Sequence, residues 1–299
     1  MSKNKNQHYV PAFYLYNFTN QTQRAESFGK AKRDTKIYHY DFNKGCVRER
    51  PIEKVAIESY LLSYKNSDDV YNHDLDNEIQ NVENVASKAI SELNDIFLYA
   101  LKKKPNHVKI KNSVMDSILE LLYWQMKRHP DIVTELEKEC EQYLLEKEES
   151  PQEAKRMAIE VIKNSGRHGQ FDIKNELNKK NKIILCTSSE QSHFITTDKP
   201  FVRMNKTGGN GIAILGTEMY YPLTSNMLLF MQDNGNRKEL RLEKDRKFLR
   251  EFNTYMARFA SNYLFGKSDL YLKRIAKNIG QPGNSAGARQ SLAPAEIFV

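Results

Sequence analysis

Three ionisable side chains that lie far apart in the chain could together carry acid–base chemistry: His8, Glu83 and Asp198. An imidazole exchanges protons near neutral pH, and His8 lies in an apolar segment that we expect to be buried. The Asp198 carboxylate follows a β-prone run, where a metal ligand or catalytic acid is common, although an Asp there is also ordinary turn chemistry. We predict all three as catalytic residues, with structural hydrogen-bonding roles as the alternative.

Gln125 and Arg128 are polar residues on an otherwise apolar helical stripe. The steps from Val114 through Ile118 and Leu121 to these two residues are 4, 3, 4 and 3, so both side chains point inward. An unpaired buried polar group costs about 1–3 kcal/mol, so each needs a partner. Arg128 could bind a phosphate or carboxylate, or it could pair with Glu83 or Asp198. We predict Gln125, Arg128 and Tyr9 as substrate-binding residues.

Composition bounds the class of protein. The 299 residues include 46 Lys and Arg against 38 Asp and Glu, a net charge of +8, and 39% are hydrophobic, which excludes collagen-like and wholly disordered chains. No apolar run approaches the about 20 residues of a membrane-spanning helix, and no signal peptide is visible at the N-terminus. Three distant cysteines form neither a disulfide framework nor a metal knuckle. We expect a soluble, cytoplasmic protein without a membrane partner.

Other motifs carry less chemistry. Thr207–Gly211 is glycine-rich but lacks the Lys-Ser/Thr of a phosphate loop, and Asp74, Asp76 and Glu78 lack the glycine of a calcium loop. We interpret the three acids as favourable charges at a helix N-terminus. The basic clusters Lys102–Lys104 and Lys179–Lys182 would suit a phosphate backbone, or are solvated faces. The sequence does not specify a cofactor, and a divalent metal ion stays an option.

The order of the predicted helices and strands indicates an α+β fold. In this fold, an N-terminal layer of long helices and a short β-hairpin packs on a C-terminal, mostly antiparallel sheet. Helices are expected over 74–101, 107–128, 131–164 with a break at Ser150-Pro151, and 244–262. A hairpin is expected over 36–50, followed by a helical turn from Pro51 towards Tyr60. Strands are expected at 183–187, 193–197, 201–203, 219–221, 227–231 and 263–265. The apolar segment from His8 to Phe18 is expected to dock in the core. We predict one domain over 1–280 and a tail over 281–299 that is disordered or vector-derived.

Three motifs, in this order, resemble the DUF4238 family, a bacterial domain of unknown function. They run from Gln7 to Phe18 (QHYVPAFYLYNF), from Gln125 to Pro130 (QMKRHP) and from Ile195 to Pro200 (ITTDKP), followed by the strand at Tyr221. The resemblance covers the chain from about residue 5 to residue 275. It implies a bacterial or mobile-element origin and supplies no chemistry.

A base, two acids and an anion clamp in one polar pocket would suit a hydrolase of a phosphodiester or nucleotide-derived substrate, such as a nuclease-like effector in bacterial defence or toxicity. The alternative is a non-catalytic module that binds nucleic acid or protein, in which the same residues form a structural polar network. The expected partner is nucleic acid or a nucleotide; the oligomeric state does not follow from the sequence.

Overall fold

The structure, a computed structural model, describes residues 5–104, 108, 110–148, 150, 153–165, 172–188, 193–205, 211–233, 235, 237–243 and 245–279. Six sequence predictions lie wholly or partly outside these residues: the tail over 281–299, the single-domain boundary at 280, the break at Pro151, the helix starts at His107 and Lys244, and most of the glycine-rich segment 207–211.

The N-terminal segment is docked in the core. Strand β1 (Asn6–His8) pairs antiparallel with β4 (Ile57–Ser59), and helix α1 (Ala12–Tyr16) begins directly after Pro11, whose fixed φ suits a helix start. Tyr14 is fully buried, and its hydroxyl donates to the carbonyl of Pro222 at 2.6 Å. Helix α2 (Gln21–Glu26) follows, with a capping box between Asn20 and Gln23.

The next segment is built of short elements. A 3-10 turn (Lys32–Asp34) leads into the hairpin of β2 (Lys36–Asp41) and β3 (Cys46–Pro51), which confirms the predicted hairpin. The predicted helical turn after Pro51 is only a 3-10 turn (Ile52–Lys54), because the chain then extends to pair β4 with β1. A small ribbon of β5 (Tyr64–Lys65) and β6 (Tyr71–Asn72) precedes the long helix.

Long helices form the next layer. They are α3 (Asp74–Lys103), α4 (Asn112–Gln125), α5 (Pro130–Glu146), α6 (Ala154–Asn164) and the short α7 (Ile173–Asn178). The apolar seam of α3, which includes Ile79, Ala86 and Leu93, is buried and packs against α4. No helix in the described part of the chain is both long and apolar enough to cross a membrane.

A five-stranded sheet follows. Its order is β12 (Lys238–Leu242), β7 (Asn181–Cys186), β11 (Met227–Gln232), β10 (Glu218–Thr224) and β9 (Val202–Met204). All pairs are antiparallel except β12 with β7, and the sequence analysis did not predict β12. Helix α8 (Arg246–Phe259) packs on one face of this sheet through Leu249, Phe252 and Met256. The other face of the sheet packs against the main hydrophobic core.

A second sheet corrects the predicted layering. Strand β13 (Tyr263–Gly266) lies between β2 of the N-terminal hairpin and the short β8 (Thr196–Thr197), in the order β3-β2-β13-β8. Helix α9 (Asp269–Ile279) packs against it. The α+β class is therefore confirmed, but strands also belong to the N-terminal part, since their hydrogen-bonding partners arrive from the far end of the chain.

Candidate functional site

A polar cleft of about 640 Å³ lies between the N-terminal segment and helix α3. His8 and Gln7 form part of one wall, and Asp76 and Glu83 lie on the other. Two cations of the 3-10 turn, Lys32 and Arg33, also contribute to the lining, as does Glu53. We call this space the His8 cleft. It brings together an imidazole, three carboxylates and two cations from four separate segments of the chain.

The wall contributed by α3 is a stripe of polar side chains. Asp76, Gln80, Glu83 and Ser87 follow one another at steps of 4, 3 and 4 residues, which places them on one helix face. The Gln80 amide donates to Asp76 Oδ2 at 2.8 Å. Burial raises the pKa of Asp76, although the hydrogen bond from Gln80 and the positive charge of Arg128 act in the opposite direction. Asp76 thus holds a proton more readily than an exposed Asp.

His8 is held as a neutral imidazole. Its pKa is lowered from 6.5 to about 4, first because burial disfavours the charged form, and then because Arg128 repels a second positive charge. A backbone hydrogen bond with Val55 acts in the opposite direction. The Nδ1 atom is buried and has no hydrogen-bond partner among the described residues. At neutral pH this ring is therefore uncharged, which is the form that can accept a proton, and its lowered pKa makes it a weaker base than an exposed histidine.

Glu83 links the cleft to a buried cation. Its Oε1 accepts from Arg128 Nη1 at 2.5 Å, while the Arg128 side chain is only 1% exposed and that of Glu83 is 19% exposed. The sequence analysis left Arg128 either to bind a phosphate or carboxylate ligand or to pair with Glu83 or Asp198, and the geometry matches the pair with Glu83. Within the described part of the chain, Nε and Nη2 of Arg128 are buried without a partner. The ion pair fixes the Glu83 carboxylate at the boundary between core and cleft.

Lys32 and Arg33 supply the positive charge of the cleft. Both residues are exposed, and neither forms an ion pair with a carboxylate of the described residues. The Lys32 ammonium lies 5.4 Å above the Tyr16 ring. Arg33 is close enough to His8 to lower the pKa of that imidazole further. These two cations are accessible to an anion that enters from solvent.

Asp198 lies outside the lining of the His8 cleft and is 2% exposed. Its two oxygens accept backbone N–H groups, Oδ1 from Ser261 at 2.9 Å and Oδ2 from Asn262 at 2.5 Å. Oδ2 is also 4.0 Å from Nε2 of His129, the residue that caps α5. Asp198 thereby fixes the turn that leads into β13, and the structure does not bring it together with His8.

Tyr9 and Gln125 lie behind the cleft. The Gln125 amide donates to the Tyr9 carbonyl at 3.2 Å, and the Tyr9 ring packs edge-on against His129 with centroids 5.4 Å apart. Burial and the neighbouring Asp198 charge both raise the pKa of the Tyr9 hydroxyl. Neither residue lines the His8 cleft, and Gln125 lines a different cleft.

Sequence reasoning missed most polar residues of the His8 cleft, among them Asp76, Gln80, Lys32 and Arg33. A signal existed for Asp76 and Gln80, because their spacing to Glu83 is helical, but the acids at 74–78 were interpreted only as helix-dipole charges. No comparable periodicity marks the two cations, which lie in a 3-10 turn. Within the described residues, no group of three or more His, Cys, Asp or Glu side chains is arranged to hold a metal ion.

Comparison with known proteins identifies one family. A family model described as "Protein of unknown function (DUF4238)" matches residues 6–269, which include all three sequence motifs and the whole His8 cleft. No curated protein and no solved structure matches significantly.

Proposed function

The chain belongs to the DUF4238 family, and from this premise we propose that the His8 cleft is the active site of a hydrolase acting on a phosphodiester or nucleotide-derived substrate. One observation carries the proposal: a neutral imidazole, a carboxylate fixed by Arg128 and two cations without an ion-pair partner among the described residues line the same solvent-accessible space. Each has a role in the hydrolysis of a phosphate ester.

The two cations of the His8 cleft bind the substrate. Lys32 and Arg33 are positioned to contact non-bridging phosphate oxygens, where a guanidinium can bind in bidentate fashion. The Gln80 and Ser87 side chains offer hydrogen bonds along the α3 stripe. Three carboxylates also line the cleft. They disfavour a second phosphate beside α3, so a substrate with one reacting phosphate group fits better than a polyphosphate.

The chemical step divides between two groups with opposite pKa shifts. His8 takes a proton from the attacking water as the new oxygen–phosphorus bond forms. The bond from phosphorus to the leaving oxygen breaks, and Asp76, whose burial favours the protonated form, gives that oxygen a proton. Exchange with solvent then returns both groups to their starting states. Glu83 acts by orientation and charge, since its ion pair with Arg128 holds it in place.

Hydrolysis of bis(4-nitrophenyl) phosphate, single-stranded DNA and RNA by the purified protein tests this, with EDTA, Mg²⁺ or Mn²⁺ as separate arms. Loss of a general base typically lowers the rate about 10²–10⁴-fold, so we expect that loss in His8→Ala. Arg33→Gln removes a proposed phosphate contact and should also lower the rate. Lys30→Gln is its matched control, because Lys30 is an exposed cation outside the cleft lining. A folded His8→Ala protein with unchanged activity would overturn the proposal.

A role as a bacterial effector predicts an effect on the growth of cells that express the protein. If the activity damages nucleic acid, expression of the protein in a bacterial host should slow growth, and His8→Ala should relieve the effect at equal protein level. Growth inhibition that persists in His8→Ala would separate toxicity from the proposed chemistry.

The second candidate function is a non-catalytic binding module, which the internal pairing of Glu83 and Asp198 favours. In that case His8→Ala should lower the melting temperature without changing any binding. Replacement of the exposed Lys102–Lys104 should weaken nucleic-acid binding and reduce its salt dependence. Unchanged affinity in the lysine variant would refute this second function.

A further inference from the structure

A second cleft of about 600 Å³ lies between the α4–α5 connection and strand β9. Its lining shares no residue with that of the His8 cleft. We propose that this second cleft binds a mononucleotide: a planar, largely apolar ring that carries an N–H donor and a single phosphate.

The walls of the second cleft suit a planar ring. Phe201, which is half-buried, lies among aliphatic side chains, of which Ile212 is 6% exposed. The other aliphatic contributors are Ile132, Ile173, Met126 and Pro200. Ligand sites are typically apolar cavities of about 300–1,000 Å³ with a few convergent polar groups. This cleft has that size and composition, whereas the His8 cleft is lined mainly by polar groups.

The polar groups of the second cleft favour an anion. Three cations contribute to its lining, Lys127, Lys199 and Arg203, and no Asp or Glu does so among the described residues. Arg203 is exposed and has no ion pair with a described carboxylate. The Lys199 ammonium lies 2.6 Å from Asp131 Oδ2. Arg203 is therefore the phosphate contact, and Lys199 adds positive charge to the same lining.

A buried acceptor identifies the ring end of the ligand. Gln125 lines the second cleft and is 5% exposed, and its Nε2 is committed to the Tyr9 carbonyl. This commitment fixes the amide orientation and leaves Oε1, which is buried without a partner among the described residues. A buried amide oxygen is costly to leave unpaired. The exocyclic amine of adenine is the type of donor that satisfies it.

Calorimetric titration with AMP tests the proposal, with adenosine and inorganic phosphate as separate arms. We expect saturable AMP binding that Arg203→Gln weakens at least tenfold and that the matched control Arg246→Gln leaves unchanged, because Arg246 is exposed and lies outside the lining of both clefts. Adenosine and phosphate should each bind at least tenfold more weakly than AMP. The same titration in His8→Ala should be unaltered, so a failure of the hydrolase proposal would not disturb it.

Three results would overturn the inference. These are the absence of saturable AMP binding at millimolar concentration, equal weakening by Arg203→Gln and Arg246→Gln, and phosphate binding as tight as that of AMP, which would leave the apolar walls and Gln125 without a role.

Discussion

Removing Glu83 from its ion pair with Arg128 should destabilise the protein more than removing Arg128. In Glu83→Ala, the Arg128 guanidinium, which is 1% exposed in the wild-type chain, loses its charged partner, and its Nε and Nη2 already have no partner among the described residues. Removing one member of a buried pair costs about 3–5 kcal/mol, because a buried charge is left uncompensated. We therefore expect Glu83→Ala to lower the free energy of unfolding by about 3–5 kcal/mol.

The reverse substitution should cost less. Arg128→Met fills similar space with an apolar chain, and the remaining Glu83 carboxylate is 19% exposed and lines the cleft, so water can solvate it. We expect a cost of about 1–3 kcal/mol. In the double variant Glu83→Ala/Arg128→Met, neither charge is left alone. Its cost should therefore fall short of the sum of the two single costs by at least about 1 kcal/mol, as for residues in direct contact.

Urea unfolding measures these differences directly. Trp124 is the only tryptophan of the chain, is fully buried and lies one helical turn before Arg128, so its fluorescence reports on this region. Glu92→Ala is the matched control, since Glu92 on the same helix pairs with Lys111 near the surface; exposed pairs contribute about 0–1 kcal/mol. A cost of Glu83→Ala no larger than that of the control, or strict additivity in the double variant, would refute the asymmetry.

Three further outcomes follow from buried polar groups. Burial, with the Lys267 charge, lowers the pKa of His193 to about 3, so between pH 6.5 and 3 the unfolded state binds the extra proton and stability falls as the pH falls. His193→Phe, which keeps a ring against Tyr271, should reduce this slope by up to about 1.4 kcal/mol per pH unit in urea titrations, and an unchanged slope would contradict the assignment. Asp198→Ala frees two backbone N–H groups and should cost about 2–4 kcal/mol, with Asp198→Asn intermediate; a neutral result by the same assay would remove its role at the turn. Tyr14→Phe leaves the Pro222 carbonyl without its donor and should cost about 1–2 kcal/mol, whereas Tyr16→Phe, on the same helix, serves as the control.

Local patterns were sufficient to predict much of the fold. The apolar seam of α3 and the hairpin of β2 and β3 depend on side chains close in sequence, and both are confirmed. The inward direction of Gln125 also followed from helical spacing, and this residue is buried. Arg128 is buried as well, but it lies beyond the end of α4 at Gln125, so the predicted helix to residue 128 is too long. In each case the period of one element decides which side chains meet the core.

Pairing between distant segments could not be predicted in this way. The alternation of β12 is obscured by Lys238, Glu239 and Arg241, and its parallel partner β7 lies far away in the chain. Asp198 shows the same limit at the site, because its partners are backbone N–H groups of Ser261 and Asn262, which carry no side-chain signature. The cations of the His8 cleft depend on the fold of a short turn rather than on any repeat.

The central place of β13 in the smaller sheet has a consequence for biosynthesis. Strand β2 emerges from the ribosome early. Asp41 can pair with Tyr263 in the β2–β13 ladder only after the whole intervening chain has been translated. Until then the hairpin has an unpaired edge, which is a template for association with other chains. Formation of the smaller sheet should therefore wait until Tyr263 has been translated, and it should be sensitive to the supply of chaperones that shield exposed strands.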